Sequence, residues 1–510
     1  MGEPTTGKIA RPGGAGAGGP RGGGRQVAGD RVLERVERLE RELEAAEARE
    51  ALARWQWLKS LDGGAKARYL QAKQERRALL SREELLRELD EAARLAGAAS
   101  PWGRRRIEVL RRDVLSCQGP REVNGRLAAL EVEIEEIHAR QGPSPGPAGW
   151  RRTQEAGEDR LEEAAAALLL ELAALRNQAA RAAGFPDYYT MSLALEGVEE
   201  GQLKALLAGL ARATETEMPR FGEASRASPA LEALFAGRDP LPAARAYFDA
   251  IGLSVEPALA HGQLGDAPGA SAGAWCIAVG RGGEVRLYGR IPPDFTGART
   301  LFHLLGRAVY HLNLAPELPP ALRVPPHPMV EAAAALLFER LLFDARWLAH
   351  WTSPPQGLRA EVTEIRSFAR TAWAAGVRWR LVLASFEQAF YRDSCGSLHS
   401  LWRRLLRDFL GDTAAGAAPG WACAFDAGTA SFRPHAWLMG MTAAAMLAKA
   451  VEEELGEEAL VSSAAAGYLL IDKWFLHGAR VPWDELVRRT FGRELDPEAA
   501  AQEGKGAGAR

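Results

Sequence analysis

Residues 303–331 contain part of a zinc-binding motif from which two functional groups are absent. The motif places His-Glu-x-x-His on one helix and a third ligand, a glutamate, on a later helix. The two histidines reach one metal ion, and the glutamate beside the first histidine removes a proton from the metal-bound water. In this chain the first stretch contains His303, Leu304 and Arg307, and Glu331 opens a later predicted helix. His303 and Glu331 thus remain as vestigial metal ligands.

The two replacements remove the catalytic base and one metal ligand. Leu304, at the general-base position, cannot accept a proton, so no catalytic residue is intact. Arg307 is always cationic and cannot ligate a metal. A partly buried carboxylate without a nearby cation is costly. We therefore predict an ion pair between Arg307 and Glu331 that replaces the metal, and we expect no cofactor.

Structural interpretations of the same residues stay open. Glu331 follows Pro326-His327-Pro328 in a first helical turn, where the helix dipole alone stabilises a carboxylate by about 0.3–1 kcal/mol. His303 fits a groove histidine bonded to a backbone carbonyl as well as a residual metal ligand. His303, Arg307 and Tyr310 share one helix face, which is either a solvated polar strip or the floor of a groove.

Composition excludes several classes of function. The chain has 510 residues, and 64 basic residues nearly balance 66 acidic ones, for a net charge of −2. No overall field therefore attracts nucleic acid or anionic membranes. The four cysteines are widely spaced, as expected of reduced thiols in a cytoplasmic protein. The sequence has no 18-residue apolar run and no apolar core of an export signal, so we expect no membrane partner.

Glycine, proline and apolar patterning predict the organisation of the chain. Residues 1–29 form a Gly/Arg-rich disordered tail, 30–141 a helical region, 142–150 a Pro/Gly linker, 151–500 a second helical region with the motif, and 501–510 a disordered tail. One hairpin is predicted, from strands at 274–279 and 284–288 around the Gly-rich turn 280–283. Thr296 is the expected N-cap of the motif helix. The sequence therefore predicts a mainly α fold with a small hairpin before the motif.

Segments around and beyond the motif carry further family features. They are Leu175–Tyr189, Trp275–Val279, Gly283–Leu287, Thr300–Tyr310, Val481–Leu486 and Gly492–Glu498. With the degenerate motif, these segments resemble gluzincin zinc metallopeptidases of the angiotensin-converting-enzyme (peptidyl-dipeptidase) and oligopeptidase type. The resemblance covers roughly residues 30–500. It implies a two-lobed helical fold with a central, peptide-sized groove.

The resemblance also implies which residues contact substrate. A family motif with two tyrosines around a histidine matches the stretch from Arg433 to Gly440, in which His435 is kept and both tyrosines are absent. His435, Trp437 and Tyr310 are the implied substrate-binding residues, although His435 packing beside Trp437 is an equally good interpretation. Together with the missing base, these losses favour a pseudo-peptidase.

Three functions follow from these features. The first is a catalytically degenerate peptidase homologue that binds a peptide or an extended protein segment, with the hairpin edge as a docking strand. The second is an active zinc metallopeptidase with atypical ligands, namely His303, Glu331 and a third group. The third is a structural or regulatory subunit. Fold alone does not decide between them, and the sequence leaves the oligomeric state open.

Overall fold

The computed structural model describes residues 23–95, 102–141, 158–216, 228–265, 271–352, 358–392, 397–425 and 433–504. The predicted linker 142–150 lies outside these residues, as do most of the two predicted tails. The first helix begins at Gly23 and the last ends at Gly504, so each extends into a range that the composition assigned to a tail. None of the helices in these ranges has the length and hydropathy of a membrane span.

The N-terminal part of the chain is built from helices, as far as the structure describes it. Its helices are α1 (Gly23–Leu58), α2 (Gly63–Leu80), α3 (Glu84–Leu95), α4 (Gly103–Leu115) and α5 (Arg121–Gln141). Leu43, Leu80 and Leu110 are buried in the core that α1–α4 share. Leu130 on α5 belongs instead to the large core of the rest of the chain. The helix α5 therefore joins the smaller N-terminal lobe to the larger lobe.

The larger lobe is also built mainly from helices. Before the sheet these are α6 (Glu158–Ala182), α7 (Tyr188–Glu196), α8 (Glu200–Ala213), α9 (Pro229–Phe235), α10 (Leu241–Ala250) and α11 (Glu256–Leu259). After the sheet they are α12 (Phe295–Leu312), α13 (Pro328–Glu339), α14 (Ala345–Trp351), α15 (Leu358–Arg392), α16 (Leu398–Ala417), α17 (Trp421–Ala424), α18 (Pro434–Leu455), α19 (Ala459–Ser462), α20 (Ala464–Leu470), α21 (Trp483–Phe491) and α22 (Pro497–Gly504). The mainly α, two-lobed architecture is thus confirmed.

The predicted hairpin is present as part of a three-stranded sheet. Strands β2 (Ala274–Val279) and β3 (Glu284–Gly289) pair antiparallel, and the two-residue strand β1 (Gln263–Leu264) adds to β3 in parallel. The turn between β2 and β3 has positive φ at Gly280 and Gly283, a conformation that glycine adopts at little cost. Because β3 is central, β2 is an edge strand.

The helices α12 and α13 pack closely and carry the motif. Asp294, not Thr296 as predicted, caps α12, because its side chain accepts a hydrogen bond from the backbone N–H of Gly297. His327 caps α13. A Cβ atom on Gly306 would lie 2.8 Å from the carbonyl oxygen of Ala334. The glycine therefore sets the close approach of the two helices.

Candidate active site

The position of the general base lies in the apolar core. Leu304 is buried on α12 beside Leu301 and Leu305, which belong to the same core. An ionised carboxylate in this place would lose its hydration without gaining a partner. The leucine at this position is therefore part of the packing of α12.

Arg307 and Glu331 form a direct ion pair across α12 and α13. The Nε atom of Arg307 donates to Oε1 of Glu331 at 2.6 Å, and the two side chains are 25% and 13% exposed. The Nε2 atom of His311 lies 3.1 Å from the same oxygen. Burial would raise the pKa of Glu331, but the charge of Arg307, followed by that of His311, holds it well below its ordinary value. Glu331 is therefore an ionised carboxylate bound by protein donors.

His303 is held by a second carboxylate, Glu339, two turns after Glu331 on α13. The Nδ1 atom of His303 lies 3.0 Å from Oε2 of Glu339. Arg299 donates to Oε1 of Glu339 through Nε at 3.1 Å and also through Nη2. Burial alone would raise the pKa of Glu339, but Arg299 and His303 lower it to about 2. An ionised carboxylate only accepts, so Nδ1 of His303 carries a proton, and its Nε2 atom is the ring nitrogen that Glu339 does not bind.

These contacts do not fit a catalytic zinc ion. Zinc in a hydrolase takes three protein ligands and one water. His303 still resembles a metal-binding histidine. One of its ring nitrogens, Nδ1, is bonded to a carboxylate, as is usual in metal sites. At the second ligand position, however, Arg307 places a guanidinium against Glu331, the third ligand. A dication would have to displace that cation before it could reach Glu331.

Tyr310 does not line a binding site. Its side chain is fully buried, and its ring packs edge-on against Phe475 and beside His311. Its hydroxyl has no hydrogen-bond partner among the described residues. His303 and Arg307 are partly exposed, whereas Tyr310, in the last turn of α12, is buried in the core. The predicted contact of Tyr310 with substrate is therefore not available in this conformation.

His435 belongs to a buried charged cluster centred on Glu196 at the end of α7. The Nε2 atom of His435 lies 2.8 Å from Oε2 of Glu196, and Nε of Arg433 donates to Oε1 at 2.7 Å. The Nε2 atom of His327 lies 3.3 Å from Oε2. Burial would lower the pKa of His435, but Glu196 outweighs that effect and, with Glu387, raises it to about 9. At neutral pH His435 is thus a buried cation paired with Glu196.

Glu196, His327 and His435 are the one group of three side chains within the described ranges whose ligand atoms could share a metal ion, with all three atoms within 4.8 Å of one another. Their hydrogen bonds argue against a metal. Nδ1 of His327 accepts from the backbone N–H of Met329 at 3.0 Å, so the ring proton must sit on Nε2, the atom that faces Glu196. A metal ligand needs that nitrogen deprotonated. The cluster is therefore a hydrogen-bonded charge network.

Trp437 follows His435 by two residues on α18, and its ring packs against α15. The guanidinium carbon of Arg380 lies 4.5 Å from the centre of the Trp437 ring. A Cβ atom on Gly376, one helical turn before Arg380, would contact the same ring at 3.7 Å. The indole ring thus packs over one turn of α15.

Several residues that shape these sites were missed by the sequence analysis. Glu339 and His311 each lie one or two helical turns from a motif residue, so helical periodicity could have suggested them. Glu196 and Arg380 lie far along the chain from their partners. No local pattern marks either residue.

Comparison with known proteins identifies the fold. No family model matches the chain, and no curated protein matches its sequence. Solved structures do match. An M32 carboxypeptidase from Deinococcus radiodurans R1 has a TM-score of 0.69 at 18% identity, covering 93% of this chain and 98% of that one. A Pyrococcus furiosus carboxypeptidase has a TM-score of 0.70 at 14% identity, and Trypanosoma cruzi metallocarboxypeptidase 1 has 0.67 at 16%; each match covers 93% of this chain and 98% of the other.

These matches correct the family predicted from the motifs. The similar folds are those of carboxypeptidases of the M32 type, not those of the angiotensin-converting-enzyme and oligopeptidase branch. Both groups are zinc metallopeptidases, so a short degenerate motif does not separate them. At this level of identity the comparison establishes the fold alone.

Proposed function

We propose that this chain is a catalytically degenerate relative of M32-type metallocarboxypeptidases, which binds a peptide segment without hydrolysing it. The single observation that carries the proposal is the 2.6 Å ion pair between Arg307 and Glu331. This pair puts a fixed positive charge at the second ligand position and occupies the third ligand. Leu304 removes the base independently, so hydrolysis would need at least two restored groups.

The retained fold supports the part of the proposal that concerns peptide binding. The chain keeps the whole length of a peptidase fold, since the matches cover 98% of the solved carboxypeptidases. His303 and Arg299 are partly exposed, so the degenerate site opens to solvent. The edge strand β2 packs beside α12 and α1, and we propose that an extended peptide pairs with its unpaired side. A peptide added to β2 would pass next to the degenerate site.

The binding test uses a fluorescein-labelled pool of random hexapeptides. Fluorescence anisotropy measures binding, and mass spectrometry of the same samples measures cleavage. We expect binding, no cleavage, and no effect of a chelator. The matched control is the same pool with alternate peptide nitrogens methylated, which removes the donors for strand pairing and should weaken binding at least tenfold. Chelator-sensitive cleavage would overturn the degenerate assignment, and absence of binding would overturn the peptide-binding assignment.

The two other functions lack comparable support. An active enzyme would need a third ligand beside His303 and Glu331, and among the described residues the neighbouring His311 and Glu339 are hydrogen-bonded to those two rather than arranged around an ion. A purely structural or regulatory subunit has no particular observation in its favour. The absence of a nucleic-acid partner and a cytoplasmic location remain predictions from composition.

A further inference from the structure

A cavity of about 270 Å³ lies between α8 and α21, next to α18. Trp483 and Leu495 form its half-buried wall. The side chains at its base are apolar and at most 9% exposed, namely those of Val198, Leu203, Leu206, Met439 and Val487. Of the described residues that line it, none belongs to α12, α13 or the hairpin. The cavity is therefore separate from the degenerate site.

The volume of the cavity fits a single ring with a short chain. An apolar cavity of about 150 Å³ holds benzene, whereas sites for drug-sized ligands begin at about 300 Å³. Water against apolar walls is poorly held, and its displacement by an apolar group favours binding. A ligand for this cavity therefore carries a compact apolar part with one ring.

The rim of the cavity is exposed and negatively charged. Three acidic side chains and one arginine line it, which gives a net charge of −2. Asp484 and Arg488 bind one another, so their charges cancel. Glu199 keeps its charge, although it accepts hydrogen bonds from two backbone N–H groups at the start of α8. Glu494 is exposed and makes no hydrogen bond or ion pair within the described ranges, so its carboxylate can accept from a ligand.

We propose that this cavity binds a small primary ammonium compound with an apolar tail. The tail occupies the cavity, while the ammonium group at the rim donates to Glu494 in a charge-assisted hydrogen bond. Glu199 adds a second negative charge on the same rim. A ligand with a carboxylate in place of the ammonium group would be repelled by both acids. This inference does not rest on the proposed peptide binding.

The first experiment compares three probes with the same phenylethyl tail: 2-phenylethylammonium, the neutral 2-phenylethanol and the anion 3-phenylpropanoate. Binding to the full-length protein is measured by ligand-observed NMR titration at pH 7 and low salt. The ammonium probe should bind at least threefold more tightly than the alcohol, and the anion at least threefold more weakly, because only the charge at the rim distinguishes them. Equal affinities of the ammonium probe and the alcohol, or no binding of either, would overturn the proposal.

The second experiment assigns the binding to this cavity. Glu494→Gln, which keeps the size of the side chain, should weaken binding of the ammonium probe at least threefold and leave the alcohol unchanged. The matched control is Glu498→Gln, which removes an exposed carboxylate of α22 that does not line the cavity; it should bind all three probes like the native chain. Leu206→Phe adds volume inside the cavity and should weaken binding of the ammonium and alcohol probes at least tenfold, with thermal unfolding as the check that the variant folds.

Two results would place the binding elsewhere and refute the proposal. One is native affinity for the ammonium probe in Glu494→Gln or in folded Leu206→Phe. The other is a loss in Glu498→Gln as large as that in Glu494→Gln. If Leu206→Phe does not fold, the comparison of the two glutamate variants decides alone.

Discussion

Replacement of Arg307 by methionine should destabilise the contact between α12 and α13. Methionine keeps much of the aliphatic volume but leaves Glu331, whose side chain is 13% exposed, with His311 as its remaining partner. Loss of one member of a buried ion pair costs about 3–5 kcal/mol. A quarter of the Arg307 side chain is exposed, so solvent screens part of that cost. We expect a loss of about 3 kcal/mol, at the lower end of that range.

The pH dependence of stability should differ in this variant. In the native chain the pKa of Glu331 lies below its ordinary value of 4.5. Its contribution to stability is therefore present above about pH 4.5 and is lost as the pH falls through the lowered pKa. Without Arg307, burial is opposed mainly by His311, and we expect the pKa of Glu331 to rise. Acidification from pH 7 to pH 5 should then narrow the difference in stability between the variant and the native chain.

Hydrogen exchange of the peptides that cover α12 and α13 provides the assay, because it reports local opening in a large protein. A loss of about 3 kcal/mol corresponds to roughly 100-fold faster exchange. The double variant Arg307→Met, Glu331→Met should exchange more slowly than the single variant, since it leaves no buried charge unpaired. The control is Arg245→Met, which breaks an exposed ion pair between Arg245 on α10 and Glu256. Unchanged exchange in the single variant, or exchange in the double variant as fast as in the single one, would refute the reasoning.

Three further predictions concern the surroundings of the site. The pKa of His435 rises from 6.5 to about 9 on folding, so its contribution of about 3 kcal/mol is present below pH 6.5 and lost as the pH rises through 9; the difference in thermal midpoint between the native chain and His435→Gln should shrink between pH 6 and pH 9.5, and a constant difference would contradict this. Tyr310→Phe removes a buried hydroxyl without a described partner and should stabilise the chain by about 1 kcal/mol without affecting hexapeptide binding; weaker binding would restore Tyr310 as a contact residue. Gly306→Ala forces α12 away from Ala334 and should lower the stability by about 1–3 kcal/mol in urea unfolding, and a neutral effect would show that the helices separate freely.

Much of the fold follows from local signals in the sequence. Apolar periodicity predicted a helical region over residues 30–141, and α2–α5 lie within it, because each buries one face against neighbouring helices. The Gly-rich turn at 280–283 predicted the hairpin, because positive φ is required there. The N-cap of α12 was misplaced from Asp294 to Thr296, since both residue types cap helices and only the geometry distinguishes them.

The candidate site was only partly accessible from sequence. Motif spacing predicted that His303 and Arg307 share one helix face, because i and i+4 residues lie on the same side of a helix, and the motif supplied Glu331 on the later helix as their partner. Burial of Tyr310 depends on how α12 packs into the core, and the apolar periodicity of α12 does not specify that packing. Glu196 reaches His435 through packing of distant helices, and no pattern along the chain encodes that contact. The family was misassigned because a short degenerate motif does not distinguish the two groups of zinc metallopeptidases.

The most direct test of the account is zinc stoichiometry with a restored metal ligand as the comparison. The native chain and the variant Arg307→His, which leaves the buried Leu304 in place, are equilibrated with zinc, desalted and analysed by mass spectrometry for bound metal. We expect far less than one equivalent in the native chain and about one in the variant, because His303 already has its carboxylate partner Glu339 and the cation beside Glu331 is gone. One tightly held equivalent in the native chain, with chelator-sensitive peptide hydrolysis, would contradict the central claim that Arg307 stands in place of the metal.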